Sequence, residues 1–598
     1  MSDTQREPLR WRRHGVSGSQ FGRMKALTQS HAMIAEDVTS NAFQTAIELP
    51  DLSGFSTPVE KAVRLLKSAA AIEHALMVQY LYAGYGFSPA NRDIISVAIE
   101  EMSHLMTVQN LLLLVGGQPD LSRQDFGPAD SDDSRLFPFD LMLEPVTHES
   151  LAKYVIAESP QEVPAGVDPA LMQRILDVAT QGVGMGVNRV GTLYALLGAV
   201  FGSETLLLQK AATGDPWYVM VNSLAAEAAS LYGGRDRVHL PDSAFQPMSV
   251  AAQGSDSDWD RTPVNAALDE FRVHTADGRE AALEALRDIG LQGEGPSTQP
   301  TEVAHFMRFL NLFKRFYGAQ GMGTGPATGS KDIPRASVIT VQQGSTDPQA
   351  ISNQETVRWA RLANHRYAVL LGSLEWYLRM PPNERRFLLG WCFAEMFALK
   401  KLSSILTTKL RKDNPSEGMA AAPFTLPPWS GRPVTWQDLE AELTSAITEV
   451  TAILAGSGVS QEQTRVLIHL KSSDERKLAE STARASGSSD RRKSDQAREI
   501  LDWAAGAADV QSHNGDSPPL PDQNQGRFWN LPLADFKQTT ILGDNIVTPP
   551  GPGQDAPLIN VLRTGLMPGG RRPKLKPTDA EFLFLEEWVG NQCPDDPA

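Results

Sequence analysis

The chain has 598 residues, 41% of them hydrophobic, enough for a large buried core and, at roughly 100–200 residues per domain, for three or four units. It is acidic, with 55 Lys and Arg against 71 Asp and Glu and a formal net charge of −16; this argues against general nucleic-acid or anionic-membrane binding, both of which need basic surface. Cys392 and Cys593 form neither a CxxC nor a CxxCH pattern, and no segment reaches the ~18 apolar residues of a membrane span, so a cytoplasmic protein is expected.

Residues 1–55 read as an irregular arm. Its basic knot Arg10-Trp11-Arg12-Arg13 is followed by no apolar run, unlike a twin-arginine signal. Thr57-Pro58-Val59-Glu60 combines a cap, a first-turn proline and a capping-box glutamate, and predicts a helix from there to Tyr85. Ser88 and Pro89 predict the start of a second helix reaching Leu114, stopped by Gly116-Gly117 and Pro119. The short link makes these two an antiparallel pair. Residues 118–148 read as a loop. Helices follow near 149–158, 169–180, 187–201, 217–231 and 278–292, and from Thr301 to Tyr317, with a turn-rich stretch at 232–262.

Residues 318–350 have the composition of a linker. A second set of helices is expected near 355–380, 382–412, 434–456, 460–484 and 496–506. Residues 507–557 are mostly coil, and short helices are expected over 558–566 and 579–591. No repeat and no run of alternating strands is evident. The expected fold is mainly α: an arm (1–55), a helical bundle with an insertion (56–320), a second helical unit (350–506) and a coil-rich tail ending in a short helix (507–598).

One spacing carries chemistry. Glu101-Met102-Ser103-His104 and Glu302-Val303-Ala304-His305 each place a carboxylate three residues before an imidazole, which on a helix share a face. Glu73, on the helix preceding the first motif, adds a carboxylate among Ile72, Leu76 and Tyr80. A carboxylate on an apolar helix face needs a partner or a metal. Mixed carboxylate and imidazole donors suit iron, with manganese the alternative. Each motif also reads as a surface ion pair. Glu100 and His74, about 100° around their helices, read as solvated or as supporting neighbours rather than ligands.

At these residues the chain resembles a known family. Ile72-Glu73-His74-Ala75 with Gln79-Tyr80-Leu81-Tyr82-Ala83, then Glu101-Met102-Ser103-His104-Leu105, Asn110-Leu111-Leu112 and Gly116-Gly117-Gln118-Pro119, are similar to the ferritin-like domain of iminophenyl-pyruvate dimer synthases of violacein and indolocarbazole-type biosynthesis. The similarity reappears at Gln292-Gly293-Glu294-Gly295, His305-Phe306-Met307-Arg308-Phe309 and Ala421-Ala422-Pro423-Phe424, so it covers about 57–430, without the larger synthases' N-terminal portion. The resemblance implies a ferritin-like bundle with a carboxylate-bridged metal site, mono-iron or di-iron, acting with O2 or peroxide on a small, amino-acid-derived molecule. It supports Glu73, Glu101 and His104 as ligands, adds Glu294, and supports His305 more than Glu302. Where the family carries two further glutamates this chain has Thr192 and Leu291; Glu158 and Glu204 are the candidates to compensate. A non-catalytic metal-binding bundle and a metal-free scaffold that docks a partner enzyme are the alternatives.

Other features read as structural. Tyr80, Tyr82 and Tyr85 suit packing, as do Glu375, Glu395 and His365. Gly182-Val183-Gly184-Met185-Gly186 lacks the strand and Gly-Lys-Ser/Thr of a phosphate loop and reads as a helix break. The tail, with Leu566-Met567-Pro568-Gly569, Leu583–Val589 and Cys593-Pro594, resembles the end of a c-type cytochrome domain without the haem attachment motif, and reads as a docking or capping segment.

Overall fold

Two cap signals near residues 57 and 91 set the first helical pair. The computed structural model describes residues 11–12, 49–123, 139–160, 166–181, 190–255, 258, 272–294, 304–381, 385–456, 458–486, 492–505, 529, 531, 533–541, 544–549, 551, 554–564 and 580–594. Helix α1 (Pro58–Tyr85) opens with the expected capping box: Glu60 N–H donates to Thr57 Oγ1 at 3.2 Å, and Thr57 N–H to Glu60 Oε2 at 2.9 Å. Helix α2 (Arg92–Leu114) starts later than the Ser88 cap predicted. Asn91 caps it instead, its Oδ1 accepting from the amides of Asp93 and Ile94. The helix ends where Gly116 takes φ +74, a left-handed conformation that glycine adopts without cost, and Gly117 N–H closes on Leu112 O at 2.8 Å.

The chain divides into two compact units: Met1–Gln253 with Val273–Ser337, and Gly254–Arg272 with Val338–Ala598. In the first, α1 packs along α2. Helices α3 (His148–Ala157), α4 (Pro169–Ala179), α5 (Val190–Phe201), α6 (Glu204–Ala211), α7 (Pro216–Tyr232), α8 (Arg279–Glu294) and α9 (His305–Tyr317) follow. Helix α5 packs against α1, α7 and α8, and α9 against α3. Leu65, Ala69, Val78, Val97, Val108, Leu193 and Phe309 are wholly buried in this core. Helix α6 has no counterpart in the sequence reading: it is one eight-residue segment with Leu207 as its buried residue, too little for an apolar stripe. Two further differences concern loops. Trp11–Arg12 (β1) pairs antiparallel with Leu49–Pro50 (β2) inside the expected irregular arm. The start of the expected linker is tied down by bridges from Pro326 to Thr147, Ser330 to Phe87 and Ala336 to Leu143.

The second unit contains α10 (Gln354–Arg379), α11 (Arg386–Leu406), α12 (Trp436–Leu454), α13 (Gln461–Ala485) and α14 (Lys493–Ala505). Helix α11 stops at Leu406 rather than near residue 412. A four-residue helix, α15 (Leu533–Phe536), a two-residue antiparallel hairpin of β3 (Thr540–Ile541) and β4 (Asp544–Asn545), α16 (Pro557–Arg563) and α17 (Ala580–Gly590) complete it. Its buried charges neutralise one another: Arg366 holds Asp474 with its two terminal guanidinium nitrogens, and Lys477 holds Glu395. Glu375 accepts from the amide of Val434, and His365 lies 2.7 Å from Glu442. The expected structural reading of Glu375, Glu395 and His365 thus has a partner for each. Among the described residues no helix is long and apolar enough to cross a membrane.

Candidate metal centre

Glu73 lies midway along α1, and Glu101 and His104 one turn apart on α2, because the two helices run side by side from their joint near residue 86. Glu158 caps the C-terminus of α3, and His305 is the first residue of α9. All five residues are 3% exposed or less. They form two groups that share Glu101. Glu73, Glu101 and His104 each offer one donor atom, these lying within 4.8 Å of one another; Glu101, Glu158 and His305 do the same. His104 Nδ1 is 2.9 Å from Glu101 Oε2 and 3.6 Å from Glu73 Oε2; His305 Nδ1 is 2.9 Å from Glu101 Oε1 and 3.7 Å from Glu158 Oε2.

Several donor atoms lack a hydrogen bond. Glu73 Oε2, Glu101 Oε1 and His305 Nδ1 are buried without one, the last two facing each other outside hydrogen-bonding geometry. A buried polar atom without a hydrogen bond costs about 1–3 kcal/mol, so Glu73 Oε2, and the poorly aligned pair of Glu101 Oε1 and His305 Nδ1, have capacity for a further partner. Carboxylate oxygens and imidazole nitrogens are the donors that iron and manganese accept, and the residues therefore fit such a cation. Beside them lies a cavity of about 10 Å³, lined among others by Leu76, Val190, Tyr194 and Ile289, with room for one water-sized body.

The outer atoms of the cluster are held. Tyr194 donates to Glu73 Oε1 and Tyr80 to Glu158 Oε1, both at 2.5 Å. His104 Nε2 meets Gln292 Oε1 at 2.6 Å, and His305 Nε2 meets Glu100 Oε2 at 2.9 Å. Burial, with the Glu101 charge beside it, pushes the Glu73 carboxyl up to about 8; burial and Glu101 also raise Glu158. Burial works against the Glu101 charge too, but the His305 and His104 imidazoles outweigh it and hold Glu101 well below the carboxylate range. The two histidines move up against their own burial, His104 to about 10, because Glu101 faces both. In the metal-free cluster, protons thus take the place of a cation.

The structure brings together four of the six residues singled out from sequence: Glu73, Glu101, His104 and His305. Glu294 is the last residue of α8, and its side chain lies outside the described residues, as does Glu302 altogether. Of the second motif, Glu302 and Val303 lie outside the described residues; Ala304 has φ −48 and ψ 148, and α9 begins at His305. Glu158, named from sequence as a replacement candidate, stands in the cluster, whereas Glu204 pairs with Arg235 at the surface. Thr192 is buried in α5 without a carboxylate, and Tyr194 one half-turn on reaches the cluster in its stead. Glu100 and His74 are wholly buried rather than solvated; Glu100 pairs with His305 and Arg308, and His74 Nδ1 lies 3.0 Å from Leu121 O. Gln292 and Tyr194 were not singled out as cluster neighbours, since neither residue type signals metal support without a known partner.

Residues 66–314 match the family described as ferritin-like. No curated protein and no solved structure matches the chain. The chain is mainly α, and the match makes residues 66–314 a ferritin-like helical domain.

Proposed function

We propose, for a chain whose residues 66–314 form a ferritin-like domain, a non-haem iron oxidoreductase with two neighbouring metal positions joined by Glu101. The observation that carries this reading is the sharing of Glu101 between two three-residue donor groups. Glu73 and His104 complete one position, Glu158 and His305 the other. Glu294 and Glu302 remain candidate additions. Iron in such a centre supplies one-electron chemistry and activation of O2 or peroxide. The protein's part is to hold the donors rigidly, to fix their outer atoms through Tyr80, Tyr194, Gln292 and Glu100, and to keep bulk water out. The resemblance to iminophenyl-pyruvate dimer synthases supports a small, amino-acid-derived substrate in secondary metabolism.

Metal analysis tests it. The full chain, reconstituted anaerobically with ferrous iron, is expected to retain about two equivalents, and Glu101→Ala to lose most of both. Retention below about one-tenth of an equivalent by the unaltered chain overturns the reading.

Two observations favour a second reading, a non-catalytic metal-binding bundle or a scaffold that docks a partner enzyme. The cavity beside the cluster holds one water-sized body, and Thr192 offers no carboxylate. Oxygen consumption without an organic product supports the metal-binding version. Melting and activity unchanged in both Glu101→Ala and His104→Ala support the scaffold.

A further inference from the structure

Helices α2 and α9 run antiparallel and are joined by a ladder of polar contacts. Asp93 pairs with Arg315 at 3.0 Å at the exposed end. Arg308 then reaches Ser96 Oγ and, through one nitrogen, both oxygens of Glu100 at 2.6 and 2.8 Å. At the buried end Glu100 Oε2 meets His305 Nε2, and Glu101 Oε1 meets His305 Nδ1, each at 2.9 Å. Glu100 has no exposed surface and Arg308 is mostly covered, so the pair sits where charge interactions are strong.

The Arg308 guanidinium holds both oxygens of Glu100, which keeps that carboxyl in place beside His305 Nε2. The other ring nitrogen, Nδ1, faces Glu101 and Glu158. The partner of His104 is of another kind. Gln292 Oε1 lies 2.6 Å from His104 Nε2, a neutral amide where His305 meets a carboxylate.

We propose that Glu100, clamped by Arg308, is the positioning residue of His305, fixing the orientation of its ring, while the neutral amide of Gln292 positions His104. The two metal positions are therefore supported unequally. This inference rests on the two-position reading of the cluster.

Anaerobic titration of the full chain with cobaltous ion, followed by absorption, tests it without turnover. The unaltered chain is expected to load in two phases, one absent from His305→Ala and the other from His104→Ala. Glu100→Gln is expected to weaken the His305 phase about 10–100-fold and leave the His104 phase in place. Gln292→Ala is expected to weaken the His104 phase alone. Arg308→Lys, which keeps the charge and loses the fork, is a milder version should Glu100→Gln fold poorly, and is expected to weaken the His305 phase in the same sense. Equal weakening of both phases, or an unchanged His305 phase in folded Glu100→Gln and Arg308→Lys, overturns the positioning role. Absence of cobalt uptake by the unaltered chain overturns the two-position reading, and this inference with it.

Discussion

Glu158 shows how a side chain becomes part of a centre through the groups behind it. It stands one residue past the end of α3, where no helical period points inward, and the Tyr80 hydroxyl on α1 turns its carboxylate toward His305. Tyr80→Phe removes that donor and leaves a buried carboxyl oxygen poorly satisfied. The expected cost is about 1–3 kcal/mol in the unfolding free energy of the metal-free chain, read as a lower denaturant midpoint at unchanged slope. An unchanged midpoint would mean that the hydroxyl contributes nothing there. At this scale sequence legibility follows periodicity. Glu73, Glu101 and His104 lie on two capped amphipathic helices, so spacing alone brings them together. Glu158, Tyr194 and Gln292 are placed by tertiary contacts between distant segments, and a single sequence carries no local trace of those. Of the two readings open for Glu100, solvated or supporting a ligand, burial leaves the second: α2 is covered on more than one side, so the turn of about 100° that separates it from Glu101 leads to another buried face, where it meets His305.

Among the elements, α5 was readable as a helix but not as an oriented one. Each of its residues from Val190 to Phe201 is buried, so there is no polar side to tell which residue faces the cluster. Its packing against α7 depends on Gly198. A Cβ built there would lie 2.7 Å from Trp217 Cη2 and 3.1 Å from Val221 Cγ2. Alanine gains about 1 kcal/mol over glycine in helix propensity, but overpacking a filled interface costs about 1–3 kcal/mol and Trp217 is itself buried. Gly198→Ala is therefore expected to destabilise the chain, with a lower melting temperature; a rise would show that the indole moves aside freely. Helix starts were less legible than helix interiors. Ser88-Pro89 and Thr301 both carry start signals, yet the chain caps α2 at Asn91 and opens α9 at His305. Competing cap residues lie within one turn of each other, and the choice between them is made by packing.

For the molecule as a whole, composition and periodicity already indicate helices throughout, whereas the division into two compact units, the second of which takes in Gly254–Arg272, is set by tertiary contacts. What the sequence left open is which helices from distant parts of the chain meet. Both three-donor groups found among the described residues belong to the first unit. Calorimetry of the metal-free chain is expected to show the transition containing that unit rise when metal is added, by about 2.7 kcal/mol at a free concentration 100 times the dissociation constant. A transition carried by the second unit alone is expected to stay in place, and no shift anywhere would count against metal binding in the native state. The cluster also has a history written into its residue numbers. Four of its donors are synthesised by residue 158, whereas the fifth, His305, arrives at about the midpoint of the chain. A nascent polypeptide emerging from the ribosome cannot close the second position until α9 has docked, and a cation captured there then ties segments far apart in sequence. On the proposed two-position reading, capture at the second position is a late step in the maturation of the first unit, one that follows the docking of α9.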